Sequence, residues 1–102
     1  MKKIAEIVSE IKDELYGAEH YAKRAAQYKE EDKSLADAYS AMASQELNHV
    51  EALHAQVVRV IQEHRAENGE PPKSMLVIWD WEHGKIIEHT ARVKALLEMY
   101  KK

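Results

Sequence analysis

The chain contains 102 residues, the length of one small domain. Charged residues make up 32% and apolar residues 45%, with three Gly and two Pro. This mixture excludes a collagen-like or disordered chain and disfavours an all-β fold, which needs frequent turns. The absence of Cys excludes disulfides, thiolate metal sites and a cysteine nucleophile. The net charge of −3 argues against a nucleic-acid partner, which would require a basic face.

No segment has the apolar character that membrane insertion requires. The longest uncharged apolar run covers residues 75–79, far short of the roughly 20 residues that cross a bilayer. The basic first residues are not followed by the apolar core of about 7–15 residues found in a secretory signal. We therefore expect a soluble, cytoplasmic protein that has no membrane partner.

The first helix is predicted over residues 3–30. Its apolar residues recur every three or four positions, as a helix with one buried face requires. They are Ile4, Ile7, Val8, Ile11, Leu15, Ala18, Ala22 and Ala25. Gly17 interrupts the helix at a cost of roughly 1 kcal/mol relative to Ala. The charged segment 30–33 breaks the pattern and predicts a turn centred near residues 32–33.

The second helix is predicted over residues 35–67, with Ser34 and Asp37 as its capping pair. The Gly- and Pro-containing segment 68–72 ends it, and a third helix is predicted over residues 75–101. Because short connections make consecutive helices antiparallel, the expected fold is all-α, an up-down-up three-helix unit. The second helix carries two neighbouring apolar lines that three thin helices cannot cover. We therefore expect a homodimer or a larger homo-oligomer.

Two polar residues interrupt the main apolar line of the second helix. That line runs Leu35, Tyr39, Met42, Glu46, His49, Leu53, Val57 and Val60. Glu46 and His49 are three residues apart and so lie side by side on one helix face. A carboxylate beside an imidazole on a rigid helix suits a first-row transition metal.

The motif alone is weak evidence, because a second pair with the same spacing follows it, Glu51 and His54. We interpret this second pair as packing against the third helix. His20, His64 and His83 are interpreted as solvated or interfacial.

The first helix should add a carboxylate to the site. With the first turn centred near residues 32–33, Glu19 lies level with Glu46. Glu14 is the competitor on a similar face, but it would require a turn centred on residue 30. One chain then offers Glu19, Glu46 and His49, which are too few ligands for a dinuclear site. A two-fold axis beside them would double the set to four Glu and two His, the inventory of di-iron and di-manganese carboxylate bundles.

Three stretches of the chain, residues 18–22 (AEHYA), 35–39 (LADAY) and 42–49 (MASQELNH), resemble the ferritin-like superfamily. The likeness is greatest to rubrerythrin-type sequences, in which a helix-one Glu precedes an Ala-x-x-Glu-x-x-His helix. It covers about residues 15–54. A full ferritin-like domain has four helices and a second ligand-bearing hairpin, both of which this chain lacks. The single hairpin is similar to that of encapsulated ferritins, which assemble their di-iron centre between two subunits.

The resemblance implies a dimer that completes a four-helix bundle and binds two iron ions, with Mn or Zn as alternative metals. It implies oxidation of Fe(II) by O₂ or peroxide, in the cytoplasm or inside a protein compartment. Glu46 would bridge the metals, Glu19 would be a terminal ligand and His49 a terminal nitrogen donor. Tyr39, two turns before Glu46, would hydrogen-bond a ligand or donate an electron.

Two other functions stay open. The chain could be a non-enzymatic helical dimer or adaptor, for example a phage-encoded assembly protein with a degenerate site. It could also reduce peroxide with the same residues without accumulating iron.

Overall fold

The computed structural model describes residues 2–102, which form three α-helices and no strand. Helix α1 spans Lys2–Tyr28, α2 spans Lys33–Asn68 and α3 spans Lys73–Lys101. The prediction of an all-helical chain with three helices is confirmed. Among the described residues, no helix combines the length and the apolar character that a membrane crossing requires.

The first turn is earlier in the chain than predicted. Helix α1 ends at Tyr28, and α2 begins at Lys33 because Asp32 caps it. The Asp32 side chain accepts a hydrogen bond from the backbone N–H of Leu35 at 3.1 Å, which satisfies one of the free amides of the first helical turn. The predicted cap at Ser34 is therefore wrong, since Ser34 lies inside α2.

The second turn begins at Gly69. This glycine has a φ of 80°, in the left-handed region that favours Gly after a helix. Its N–H donates to the carbonyl of Arg65 at 3.0 Å. The helix therefore ends where the sequence predicts.

Helix α1 packs extensively against both other helices, whereas α2 and α3 approach each other closely at few points. The predicted apolar stripe of α1 supplies its buried residues, which are Val8, Ile11, Leu15, Ala18, Ala22 and Ala25. The core therefore follows α1 along a rod of 55 × 18 × 18 Å.

The buried line of α2 agrees with the predicted main apolar line only at Val57 and Val60. Its buried residues are Ala36, Ala43, Val50, Val57 and Val60. The first four are seven residues apart, which is the spacing of a continuous helix–helix contact line. The small side chains of Ala36 and Ala43 let α2 approach α1 closely. Leu35 and Met42, predicted to face inward, are each 38% exposed instead.

Polar pairs connect the helices at several levels. Lys12 pairs with Glu82 between α1 and α3. Tyr100 near the end of α3 donates a 2.5 Å hydrogen bond to Asp37 near the start of α2. These contacts fix α3 along one side of the α1–α2 pair and leave the other side uncovered.

Candidate metal centre

Glu14, Glu46 and His49 meet in the groove between α1 and α2. Each offers one ligand atom, and these three atoms all lie within 4.8 Å of one another. His49 Nδ1 is 3.3 Å from Glu14 Oε2. Among residues 2–102, this is the group in which three carboxylate or imidazole side chains bring their ligand atoms this close together.

Gly17 makes room for this arrangement. A Cβ atom at Gly17 would lie 3.5 Å from Glu46 Oε2, so the carboxyl group rests directly beside the α1 backbone. Glu14 is three residues before Gly17 and therefore lies on the same face of α1. The side-chain-free position thus brings the carboxyl groups of two different helices together.

Glu19, the ligand predicted from α1, does not join Glu46 and His49. Its Oε1 accepts a hydrogen bond from His89 Nε2 at 3.1 Å, and Lys23 Nζ donates to its Oε2 at 3.3 Å. With the turn centred near residues 30–31, Glu14 takes the position beside Glu46. Gly17, one turn after Glu14, is the sequence feature from which this position could have been predicted.

In the single chain, the His49 side chain is 59% exposed rather than directed into the core. Glu46 is half-buried, and the Glu14 side chain is 28% exposed. At about 100° per residue, Glu14 lies roughly opposite the α1 positions that contact α3. The cluster therefore opens onto the face that α3 leaves uncovered.

Glu14 and Glu46 form a hydrogen-bonded carboxyl pair. The hydrogen bond with Glu14 raises the pKa of Glu46, and burial and the charge of Glu14 raise it further against the opposing effect of His49. The same hydrogen bond lowers the pKa of Glu14; burial opposes this, and His49 adds to it. When the pair holds a single proton, that proton is therefore bound mainly to Glu46. A divalent cation could replace this proton, because it attracts both carboxylates at once.

Tyr39 lies two turns before Glu46, about 10 Å away along the helix axis. Its half-buried ring stacks between two other tyrosines. The centroid distances are 5.9 Å to Tyr21 and 6.4 Å to Tyr28. Tyr21 is itself two turns after Glu14 on α1. The aromatic stack therefore begins two turns from both carboxyl groups and continues toward the first turn.

In comparisons with family models, curated proteins and solved structures, nothing matches this chain.

Proposed function

We propose that this chain is a ferritin-like protein that binds Fe(II) as its substrate and oxidises it with O₂ or peroxide. The observation that supports this proposal is that one ligand atom from each of Glu14, Glu46 and His49 lies within 4.8 Å of the other two. Carboxylate oxygen and imidazole nitrogen are donors that suit iron, and also manganese or zinc. The donor set therefore fits the chemistry that the sequence resemblance implies.

We further propose that two copies of the chain share the site. Three side chains cannot complete two metal ions, but a two-fold axis beside the cluster would supply four carboxylates and two imidazoles. The charge of four carboxylates balances two divalent cations. On α2, Leu35 and Met42 are each 38% exposed and lie within about 60° of Glu46 and His49 around the axis. Exposed apolar side chains beside the site support the proposal that a partner subunit covers this face.

In this arrangement two α1–α2 hairpins form a four-helix bundle, with α3 of each up-down-up chain outside the site. The ions would be held by Glu46 in the bridging role, by Glu14 in the terminal role first assigned to Glu19, and by a nitrogen of His49. A bound cation would favour the ionised form of Glu46 and so oppose its raised pKa. Bound iron would supply one-electron redox chemistry, with O₂ or peroxide as the electron acceptor. Tyr39, about 10 Å from Glu46 along α2, would give one electron to the oxidant and regain it from a further Fe(II).

A matched pair of variants on α1 tests the proposal. Purified protein is loaded with Fe(II) without oxygen, desalted, analysed for iron and oligomeric state, and then exposed to O₂ or peroxide. We expect about two iron ions per dimer and a rise in ferric absorbance. Glu14→Gln should lose both, whereas the same substitution five residues later, Glu19→Gln, should keep both.

The reverse result would restore the ligand assignment made from the sequence. Glu14 and Glu46 can pair with each other when they hold one proton and no metal, which favours a non-enzymatic dimer as the alternative function. A dimer that binds no iron and is unaffected by Glu14→Gln would establish that alternative. Faster turnover of peroxide than of O₂, without iron accumulation, would identify a peroxide-reducing protein.

A further inference from the structure

His54 on α2 and His83 on α3 face each other away from the proposed iron site. Their Nε2 atoms are 3.1 Å apart, and their rings are within 19° of parallel. Both side chains are half-buried. At about 100° per residue, His54 lies roughly 140° around α2 from His49. The two histidines therefore form a separate feature of the molecule.

The separation of the two nitrogens is close to that in a metal complex. Zinc binds imidazole nitrogen at about 2.0–2.1 Å in tetrahedral geometry, which places two such nitrogens about 3.3–3.4 Å apart. Without a metal, one ring must donate its N–H to the other. A single proton then occupies the place between the nitrogens that a cation would take.

A carboxylate and an open groove lie beside the pair. An open groove of about 440 Å³ lies beside the pair, and its lining includes Glu51, His54, His83 and Thr90. Glu51 is one turn before His54 on the same face of α2. His54 of the second Glu-x-x-His pair therefore meets another imidazole, His83, which the sequence analysis interpreted as solvated or interfacial.

The second histidine is held in place by an aromatic neighbour. The Trp79 ring lies 5.1 Å from the His83 ring with the planes 7° apart, and it also stacks on His54 at 6.4 Å. Stacking of this kind restricts the ring orientations. The site lies where α2 and α3 approach each other at few points, so an ion bound there would join them directly.

We propose that His54 and His83, with Glu51 and water completing the coordination, bind one Zn²⁺-like divalent transition-metal ion per chain. Two imidazoles and a carboxylate are typical ligands of such ions. The ion connects α3 to α2 and stabilises the folded chain by binding it in preference to the unfolded one. This site does not depend on the proposed iron chemistry.

The test measures Zn²⁺ binding to the full chain by competition with a chromogenic chelator. The parent protein carries Glu46→Gln, so that the iron site does not contribute. We expect about one Zn²⁺ per chain and a rise in the thermal midpoint on adding Zn²⁺. His54→Gln and His83→Gln should each weaken binding by about tenfold or more, because losing even an outer partner of a ligand costs about 10- to 100-fold.

His64→Gln is the matched control, since His64 is another half-buried histidine of α2 and should leave Zn²⁺ affinity unchanged. A parent that binds no Zn²⁺, or variants at His54 and His83 that bind as well as the parent, would overturn the proposal.

A second measurement does not require those variants to fold. With Trp81→Phe, the remaining tryptophan is Trp79, beside the site. Cu²⁺ should quench its fluorescence at about one equivalent per chain, and unchanged fluorescence would also overturn the proposal.

Discussion

Glu14 on α1 and Glu46 on α2 form one hydrogen-bonded carboxyl pair, in which the pKa of Glu46 is raised and that of Glu14 is lowered. The negative charge of this pair lowers the stability of the metal-free fold but favours the binding of a cation. Near neutral pH, ionisation of both groups places two negative charges side by side, which destabilises the metal-free fold. The same two charges attract a divalent cation.

Replacing Glu46 by Gln should therefore stabilise the metal-free protein at pH 7 by roughly 0.5–1 kcal/mol, because the amide keeps a hydrogen bond without the second charge. Glu46 holds its proton more tightly when folded, so the native protein gains stability as pH falls through its folded pKa, above 4.5. The advantage of the variant should be largest at neutral pH and shrink toward pH 4.5. Urea denaturation across this range measures the difference.

The control for this substitution is Glu67→Gln, at an exposed position near the end of α2, where we expect a change within about 0.5 kcal/mol. Iron binding should be lost in Glu46→Gln and kept in the control. A Glu46→Gln protein that is less stable than the native one at pH 7 would contradict this account of the carboxyl pair.

Glu19 should contribute to stability through α3. Burial raises the pKa of Glu19, but the hydrogen bond from Lys23 and the charges of Lys23, His89 and Arg92 outweigh burial, so the pKa is lowered. Glu19→Gln should reduce the free energy of unfolding at pH 7 by about 1–2 kcal/mol, since His89 loses a charged acceptor.

The sign of the pH dependence follows from the lowered pKa. The contribution of Glu19 is present above its ordinary pKa of 4.5 and is lost as pH falls through the lower folded pKa. The native protein and Glu19→Gln should therefore converge in stability below this range, as denaturation at pH 7 and in acid would show. A difference that persists undiminished in acid would assign the effect to packing instead.

Periodicity was sufficient to predict the helices and the core of α1, because that helix has a single apolar stripe. Periodicity did not determine which face of α2 packs against α1, because α2 carries two neighbouring apolar lines. The small Ala36 and Ala43 decided the rotation by permitting close approach to α1, and this moved Leu35 and Met42 outward.

The candidate site was predicted in part. The spacing of Glu46 and His49 places them together on any helix, whereas the choice between Glu14 and Glu19 depended on the turn. Moving the centre of an antiparallel turn by about two residues moves the facing level by about four, which is one helical turn. The meeting of His54 with His83 depended on the α2–α3 register, which no local pattern specifies.

Gly17 and Gly84 provide a matched test of the space beside the site. Both lie inside helices, and Gly69 is the glycine with positive φ among the described residues. Gly17→Ala and Gly84→Ala should each stabilise the fold by about 0.5–1 kcal/mol through helix propensity. A Cβ at Gly84 meets nothing within 4 Å, and at Gly17 it makes an ordinary 3.5 Å contact with Glu46.

Larger side chains at Gly17 and Gly84 should have different effects on iron binding. Gly17→Leu should displace the Glu46 carboxyl group and weaken iron binding, whereas Gly84→Leu should leave it intact. Iron titration of both variants, with helix content checked by circular dichroism, measures this. Equal iron affinity in the two variants would place the metal elsewhere than beside Gly17.

The substitution Tyr39→Phe distinguishes an electron-donating role of Tyr39 from a packing role. Tyr39→Phe removes the hydroxyl group but keeps a ring between Tyr21 and Tyr28, so stability should change by less than about 0.5 kcal/mol. Iron stoichiometry should also stay the same, because Tyr39 is about 10 Å along the helix from Glu46. The rate of Fe(II) oxidation, followed by stopped-flow absorbance, should fall.

Tyr16→Phe is the control, since Tyr16 is 67% exposed and its ring contacts His89. If both variants oxidise Fe(II) at the native rate, Tyr39 serves only to pack the aromatic stack.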